Sequence, residues 1–361
     1  MAGILASIIK KNPTGKIDIT KVNSLPELLS GIDQIGDPTR ILTDNIYGFN
    51  TTRGNNALPA TLVYGKVFFT RPMLNFTRLN ITNNPGEFGG MLASGDNVYS
   101  YVKHTLDPRL FYKHGEQKTA LVDPYQAFIP GLSNNLISCT GWPDKAVGTF
   151  TTKAGVRRQE HTVIDGCSET YSRWDTDCKI RNARGMSQLA LINSWVDWST
   201  KAAEGRTSPY MTFIAQNEIC YNTRIYRLIL DVTQTRVMYI AATGASTPNV
   251  VPMGALADYR SDATVNTDMT ELNIRFTSDG AIYNDPRLID AFNRTAAMFN
   301  PEIRKHRLGL SNNLEKVPNA LKARFSNRVY PYINYDTLEL EYYIDTTTTF
   351  FKNVVELLGG A

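Results

Sequence analysis

Between Tyr221 and Phe292 the sequence sets a hairpin, a Gly/Pro-rich loop, an alternating strand and a capped helix in close succession, and the rest of the chain is organised around this block. Arg224 to Val232 is rich in β-branched and aromatic residues. The polar break Thr233-Gln234-Thr235-Arg236 then leads into Val237-Met238-Tyr239-Ile240, which predicts two adjacent antiparallel strands. Gly244 to Gly254, punctuated by Pro248 and Pro252, reads as a long irregular crossing. From Glu271 to Thr277 the alternation is strict, with Leu272, Ile274 and Phe276 directed inward and Glu271, Asn273 and Arg275 outward. Ser278-Asp279-Gly280 reads as a turn. Asp285 is a good N-cap with Pro286 at the first helical position. Leu288, Ile289, Phe292, Ala296 and Phe299 form one apolar stripe, and Asn300-Pro301 stops the helix.

The rest of the chain is less regular. Residues 1–60 read as an extended arm, with a short helix from Leu25 to Ile35 capped by Ser24. Thr61 to Arg71 is a strand candidate with apolar side chains on both faces, so it is expected to be covered on both sides. Asn83-Asn84-Pro85-Gly86 reads as a turn, Phe88-Gly89-Gly90 as loop, and Val98 to Val102 as a short strand. Ala127 to Leu132 reads as buried, and Trp142 as a packing anchor after Gly141. Thr149 to Lys153 and Gln159 to Ile164 read as paired strands, and Tyr171 to Ile180 as a third.

Gln188 to Thr200 has helical spacing in Leu189, Ile192, Trp195, Val196 and Ser199, with Trp195 and Trp198 bordering the stripe. Tyr210 to Ile214 reads as a strand, Leu314 to Arg324 as a helix, Leu338 to Ile344 as a strand, and Phe350 to Leu358 as a terminal amphipathic turn. The expected organisation is an arm over 1–60, a β-rich segment over 61–148, a core with two helices over 149–300, and a C-terminal arm with a strand over 301–361. The fold class is α+β, mainly β.

Charge excludes some functions. Lys and Arg number 38 against 34 Asp and Glu, a net charge of +4 that does not make a nucleic-acid-binding groove. No apolar run approaches the roughly 18 residues that span a bilayer, and the apolar Met1 to Ile9 precedes Lys10-Lys11, the reverse of a secretory signal. Cys139, Cys167, Cys178 and Cys220 lack the close spacing of a structural zinc site, even with His161 added, and read as buried thiols. No nucleophile elbow or phosphate loop is present. The expectation is therefore no catalytic residue, no metal, no cofactor and no membrane. Strands apolar on both faces and long polar insertions fit an assembly protein.

Arg224 to Ile240, then Gly244-Ala245-Ser246-Thr247-Pro248, then Asp268 to Asp279 resemble the hairpin, crossing and edge-strand order of tailed-phage tail-tube proteins. Arg157 to Thr200 is similar to the sheet-then-helix half of such a domain, and Phe68 to Asn75 resembles segments of large, myovirus-type virion proteins. The resemblance implies a tail-tube-like β-sandwich or barrel with packing helices, long insertions and extended terminal arms. It implies a homo-oligomeric ring, six-fold in that family, in a virion tail tube or baseplate, made in the host cytoplasm. Neighbouring tail or baseplate proteins are its expected partners, with DNA passing transiently through the lumen. At 361 residues the chain is longer than a plain tube subunit, which favours a tube initiator or similar junction.

On this reading Arg224, Tyr226, Arg227, Gln234, Arg236 and Tyr239 form the interface or lumen hairpin. Trp195, Leu272, Ile274, Phe276 and Phe292 form its core support. The alternatives are a tail-associated glycan hydrolase or receptor-binding module, using Trp142 or Trp174, and a capsid or neck component.

Overall fold

The computed structural model describes residues 64–110, 119–166, 172–183, 185–219, 221–231, 233–254, 261–262, 270–310, 313–318, 328–348 and 350–351. The expected helix at Leu25 to Ile35, the arm over 1–60 and all but two residues of the expected terminal turn lie outside them. The described strands are β1 (Tyr64–Phe69), β2 (Leu136–Thr140), β3 (Thr149–Thr151), β4 (Thr162–Ile164), β5 (Arg173–Arg181), β6 (Ile225–Leu230), β7 (Val237–Val250), β8 (Glu271–Tyr283), β9 (Leu314–Lys316), β10 (Tyr330–Ile333) and β11 (Leu340–Asp345). The described helices are α1 (Arg78–Asn83), α2 (Pro85–Phe88), α3 (Val98–Leu106), α4 (Pro130–Asn135), α5 (Ser187–Ala203), α6 (Met211–Gln216), α7 (Pro286–Phe299) and α8 (Pro301–Arg307).

The chain divides into two compact units: Lys66–Leu228 with Tyr239–Ala361, and Met1–Gly65 with Ile229–Met238. The larger unit is built on a six-stranded sheet in the order β1-β6-β7-β8-β5-β2, beside a three-stranded sheet β10-β11-β9 and the hairpin β3-β4. β5 and β8 pair antiparallel along nine residues, from Arg173 opposite Asp279 to Arg181 opposite Glu271. In the smaller unit, Asp231 closes a turn by accepting the Thr235 and Arg236 amides at 2.9 and 3.1 Å, with Gln234 left-handed at φ 57. No helix among the described residues is long and apolar enough to cross a membrane.

One face of the large sheet carries the main core. Val67 and Phe69 of β1, Ile225 of β6, Leu272, Ile274 and Phe276 of β8 and Cys178 and Ile180 of β5 pack with Leu189, Leu191, Ile192, Trp195 and Trp198 of α5. Each such large side chain contributes about 1.5–3 kcal/mol by leaving water. Among the described residues the opposite face is covered only in part. There Phe68 of β1 and Phe128 lie 5.3 and 4.7 Å, centroid to centroid, from Phe292 of α7, and Tyr226 of β6 meets the same ring edge-on at 5.3 Å. β1 is thus covered on both sides, as its two apolar faces predicted.

Two polar devices organise the interior. A row of buried hydroxyls crosses the core face: Thr176 lies 3.2 Å from Ser278, Ser278 2.8 Å from Ser246, and Ser246 donates to Thr243 at 2.9 Å. Thr223, beside Ser246 in the ladder, continues the row by donating to the Thr70 carbonyl at 2.7 Å. The second device is Arg71, only 5% exposed. It donates to the carbonyls of Thr105 (2.9 Å), Gln126 (3.0 Å) and His104, so its charge sits at the C-terminus of α3.

Several segments depart from expectation for identifiable reasons. Residues 98–106 are helical rather than a strand, because Asn97 caps the Ser100 amide at 2.8 Å. The expected turn at Asn83 to Gly86 is a junction between α1 and α2 with Pro85 opening the second helix, and Gly89–Leu92 is a 3₁₀ turn rather than loop. Tyr210 to Ile214 is not a strand. Tyr210 is anchored through its hydroxyl to Asp107 at 2.7 Å, and α6 follows it, ending at left-handed Asn217.

The Gly244 to Gly254 crossing is ladder as far as Val250, with a register shift at Pro248 that accommodates its missing amide. The expected turn at Ser278 to Gly280 lies inside β8. Gly280, at φ +65, and Gly244, where a Cβ would sit 2.6 Å from the Asp279 carbonyl, let β7 and β8 pass each other closely without breaking. Leu314 to Lys316 pairs as β9 instead of starting a helix. Leu338 is left-handed at φ 56, so its strand begins at Leu340. Trp195 and Trp198 are central to the buried face of α5, not at its border.

Candidate functional site

Among the described residues, β5 and β8 present a regular exposed face of the large sheet. Along β5 the outward residues are Arg173, Asp175, Asp177, Lys179 and Arg181, and along β8 they are Glu271, Asn273, Arg275, Thr277 and Asp279. The strict period of two follows from the opposite faces of the same strands being buried against α5. Four cations and four anions are interleaved there. Arg275 donates to Asp177 at 2.8 Å, Lys179 pairs with Glu271, and Thr277 donates to Asp175 at 3.1 Å while receiving Asn249 at 2.5 Å. The Asp177 carboxylate holds Arg275 more firmly in its charged form. The face is a charge-balanced, hydrophilic wall. It has no net attraction for a polyanion.

The residues expected to form the interface hairpin differ widely in burial. Arg224, half-buried, donates to the Thr243 carbonyl at 2.9 Å and lies 5.3 Å from the Tyr226 ring. Tyr226, expected in the interface or lumen hairpin, is fully buried within the chain against Phe128 and Phe292. Burial raises its phenol above the usual range. Arg227 and Arg236 are half-buried, Gln234 is exposed at the hairpin turn, and Tyr239 is 53% exposed. Of the core-support residues, Trp195, Leu272, Ile274, Phe276 and Phe292 are all buried, and the Trp195 indole donates to the Tyr221 carbonyl at 2.8 Å.

A second surface carried no functional expectation. The β3-β4 hairpin is solvent-exposed along both strands, yet it pairs Phe150 with Val163 and presents Ile164, 71% exposed, and Val156. Its turn is fixed by the Arg158 amide donating to the Gly155 carbonyl at 2.8 Å. A defined hairpin with uncovered apolar residues marks a contact surface. The available signal was an apolar pair with no neighbouring segment of matching period to cover it.

A cavity of about 310 Å³ opens beside the small sheet, lined by Ile303, His306, Tyr332, Asn334, Tyr335, Asp336, Glu341 and Tyr343. Burial alone would raise the Glu341 carboxyl, but hydrogen bonds from Lys316 (2.6 Å), Tyr343 (2.7 Å) and Asn334 (3.2 Å) outweigh it and hold the group below its ordinary value. A carboxylate so held stays ionised, the opposite of the general acid that glycoside hydrolysis needs. Trp142 and Trp174 pack on each other at 5.1 Å. Among the described residues no group of three His, Cys, Asp or Glu side chains is placed to hold a metal ion, and Cys167 and Cys220 lie outside them.

A family model described as "Putative phage tail tube protein" matches residues 24–355. Among solved structures, the tube-terminating cap of the anti-feeding prophage is similar at 10% identity and TM-score 0.27, covering 44% of this chain and 81% of that one. The sheath/tube terminator of the PVC extracellular contractile injection system, in its extended state, is similar at 10% identity and TM-score 0.25, covering 44% and 88%. No curated protein matches the sequence.

Proposed function

This chain belongs to the phage tail tube protein family, and on that premise we propose that several copies close into a ring whose lumen is lined by the β5-β8 face. The observation that carries the reading is the interleaving of Arg173, Asp175, Asp177, Lys179 and Arg181 with Glu271, Arg275 and Asp279 on one uncovered face. A conduit for DNA needs a wall that is wetted but not adhesive. Interleaved charges meet that need, because their fields cancel beyond the roughly 8–10 Å screening length.

The apolar β3-β4 hairpin then serves as the contact between neighbouring copies or rings, where burial of Phe150, Val163 and Ile164 supplies hydrophobic stabilisation. The chain's length beyond a plain tube subunit favours a junction position, such as a tube initiator, latched to other tail proteins. The role is mechanical, and six-fold closure is the expected symmetry.

Electron microscopy and light scattering of the concentrated full chain test the proposal, together with its localisation in purified virions. Rings, and density for this chain in the tail, are expected. A strictly monomeric protein that is absent from virions would overturn it. The lumen assignment is tested separately by Asp175→Lys with Asp279→Lys. Both carboxylates are exposed, so folding is expected to hold while genome ejection slows. Unchanged ejection would move the lumen to another face.

A further inference from the structure

β2, an edge strand of the large sheet, is held to β5 by a short ladder with a register shift between Leu136 and Ser138. Within that ladder Cys139 stands directly opposite Cys178. The two sulfurs lie 3.7 Å apart, and both thiols are free. Cys178 is 1% exposed and sits in the core row between Thr176 and Ile180, whereas Cys139 is half-buried on the edge strand.

We propose that Cys139 and Cys178 are an oxidisable pair that a small-molecule disulfide converts into a cross-strand disulfide, fastening β2 to the sheet. The geometry is close to that of the product. Opposed residues in an antiparallel ladder have Cα atoms about 4.5–5.5 Å apart, inside the window of about 4.4–6.8 Å that a disulfide spans. Only the sulfurs must approach, from 3.7 Å to about 2.05 Å, by side-chain rotation. The asymmetry of the pair sets the order of events. The hydrogen bond from Cys178 lowers the Cys139 thiol, while making that bond and being buried raise Cys178. Cys139 is therefore the attacking thiolate and Cys178 the resolving thiol.

With glutathione disulfide as the oxidant, the Cys139 sulfur attacks one glutathione sulfur and expels the other as a thiolate. The Cys178 sulfur then loses its proton, attacks the Cys139 sulfur of the mixed disulfide and expels the second glutathione. Two protein thiols are oxidised, one small disulfide is reduced, and both protein protons end on the released thiols. Such a bond forms only where thiols are no longer kept reduced. On the tail-structural reading, that fastens the edge strand after release from the cell, but the chemistry is tested on the isolated chain.

The experiment treats the native full-length protein with glutathione disulfide, blocks remaining thiols, and maps linked peptides by mass spectrometry without reduction. The expected result is loss of two of the four thiols and one peptide joining residues 139 and 178. The cross-link closes a loop of about 40 residues and should raise the thermal midpoint by about 5 °C. Cys178→Ser should stop at a glutathione adduct on Cys139, and Cys139→Ser should leave Cys178 unreacted in the native state. A persistent adduct on Cys139 in the unsubstituted protein, a link to Cys167 or Cys220 instead, or no reaction would each overturn the proposal.

Discussion

Replacing Arg71 by Met tests whether one buried guanidinium holds three segments together. The side chain donates to the last-turn carbonyls of α3 at His104 and Thr105 and to Gln126 in the segment beside β1, and its guanidinium stands 5.5 Å from the Phe299 ring of α7. Met matches the aliphatic stem but leaves those carbonyls buried without a donor. Hydrogen bonds to charged groups contribute about 1.5–3 kcal/mol each. Part of that loss is offset because a charge no longer has to be desolvated. The net cost is about 4 kcal/mol.

Unfolding entropy of about 2.1 cal/mol/K per residue over the 361-residue chain gives ~0.8 kcal/mol/K, so the midpoint should fall by about 5 °C. Lys keeps the charge at the helix end but not the planar fork, and should cost about half as much. Differential scanning calorimetry, with fluorescence of buried Trp195 and Trp198 as a second probe, reads the effect. A Met variant within about 2 °C of the parent would show that water or backbone movement satisfies those carbonyls, and the clamp argument would be wrong.

Four further outcomes follow from the packing and the titrating groups. The Glu341 carboxyl is held low, so its contribution is complete above the unfolded-chain value of about 4.3 and is lost as pH falls through the lower folded value. Glu341→Gln should therefore cost about 1 kcal/mol at pH 7 and flatten the acid limb of the stability curve; an unchanged limb refutes the assignment. Burial raises the phenols of Tyr330, Tyr342 and Tyr343, so the stability they give is complete below about pH 10 and lost above it. Ultraviolet titration should show tyrosines that ionise only with unfolding, and a single class titrating near pH 10 in the native state would contradict this. Gly141→Ala places a Cβ 2.5 Å from the Asp175 carbonyl at φ +93, and should destabilise by about 2–4 kcal/mol in urea unfolding; a neutral result means the β2-Trp142 corner relaxes freely. Trp195→Phe loses the 2.8 Å bond to Tyr221 and leaves a void, so about 1–3 kcal/mol should be lost, whereas a change under 0.5 would deny that bond a structural role.

What the sequence disclosed depended on how local the cause was. The inward set Leu272, Ile274 and Phe276 and the Asp285-Pro286 helix start are written within a few residues, and all are as expected. Helix α6 depends on Tyr210 reaching Asp107, 103 residues away, and no local pattern announces it. Gly244 and Gly280 each look like a breaker, but they sit inside continuous strands whose backbones approach closely there. The same limit applied to the polar face. Glu271, Asn273 and Arg275 were legible as outward. Their partners on β5 were not, because Trp174, Thr176 and Cys178 do not read as a clean apolar row. The half-buried Arg224 and buried Tyr226 read as hairpin residues from the strand pattern, which does not reveal which face a neighbouring helix covers.

The hydroxyl row from Thr176 through Ser278, Ser246 and Thr243, with Thr223 and Thr70 beyond, has a mechanical consequence. Greasy side chains slide past one another with little resistance, since dispersion contacts are non-directional. A line of short, directional bonds between successive strands behaves differently. Moving β5 or β8 by one position turns its hydroxyl outward and brings a residue of the polar face, such as Asp175 or Asp279, into the buried line, and each hydroxyl left without its partner costs about 1–3 kcal/mol. The sheet therefore resists shear along its strands, a property that its apolar contacts alone would not give it.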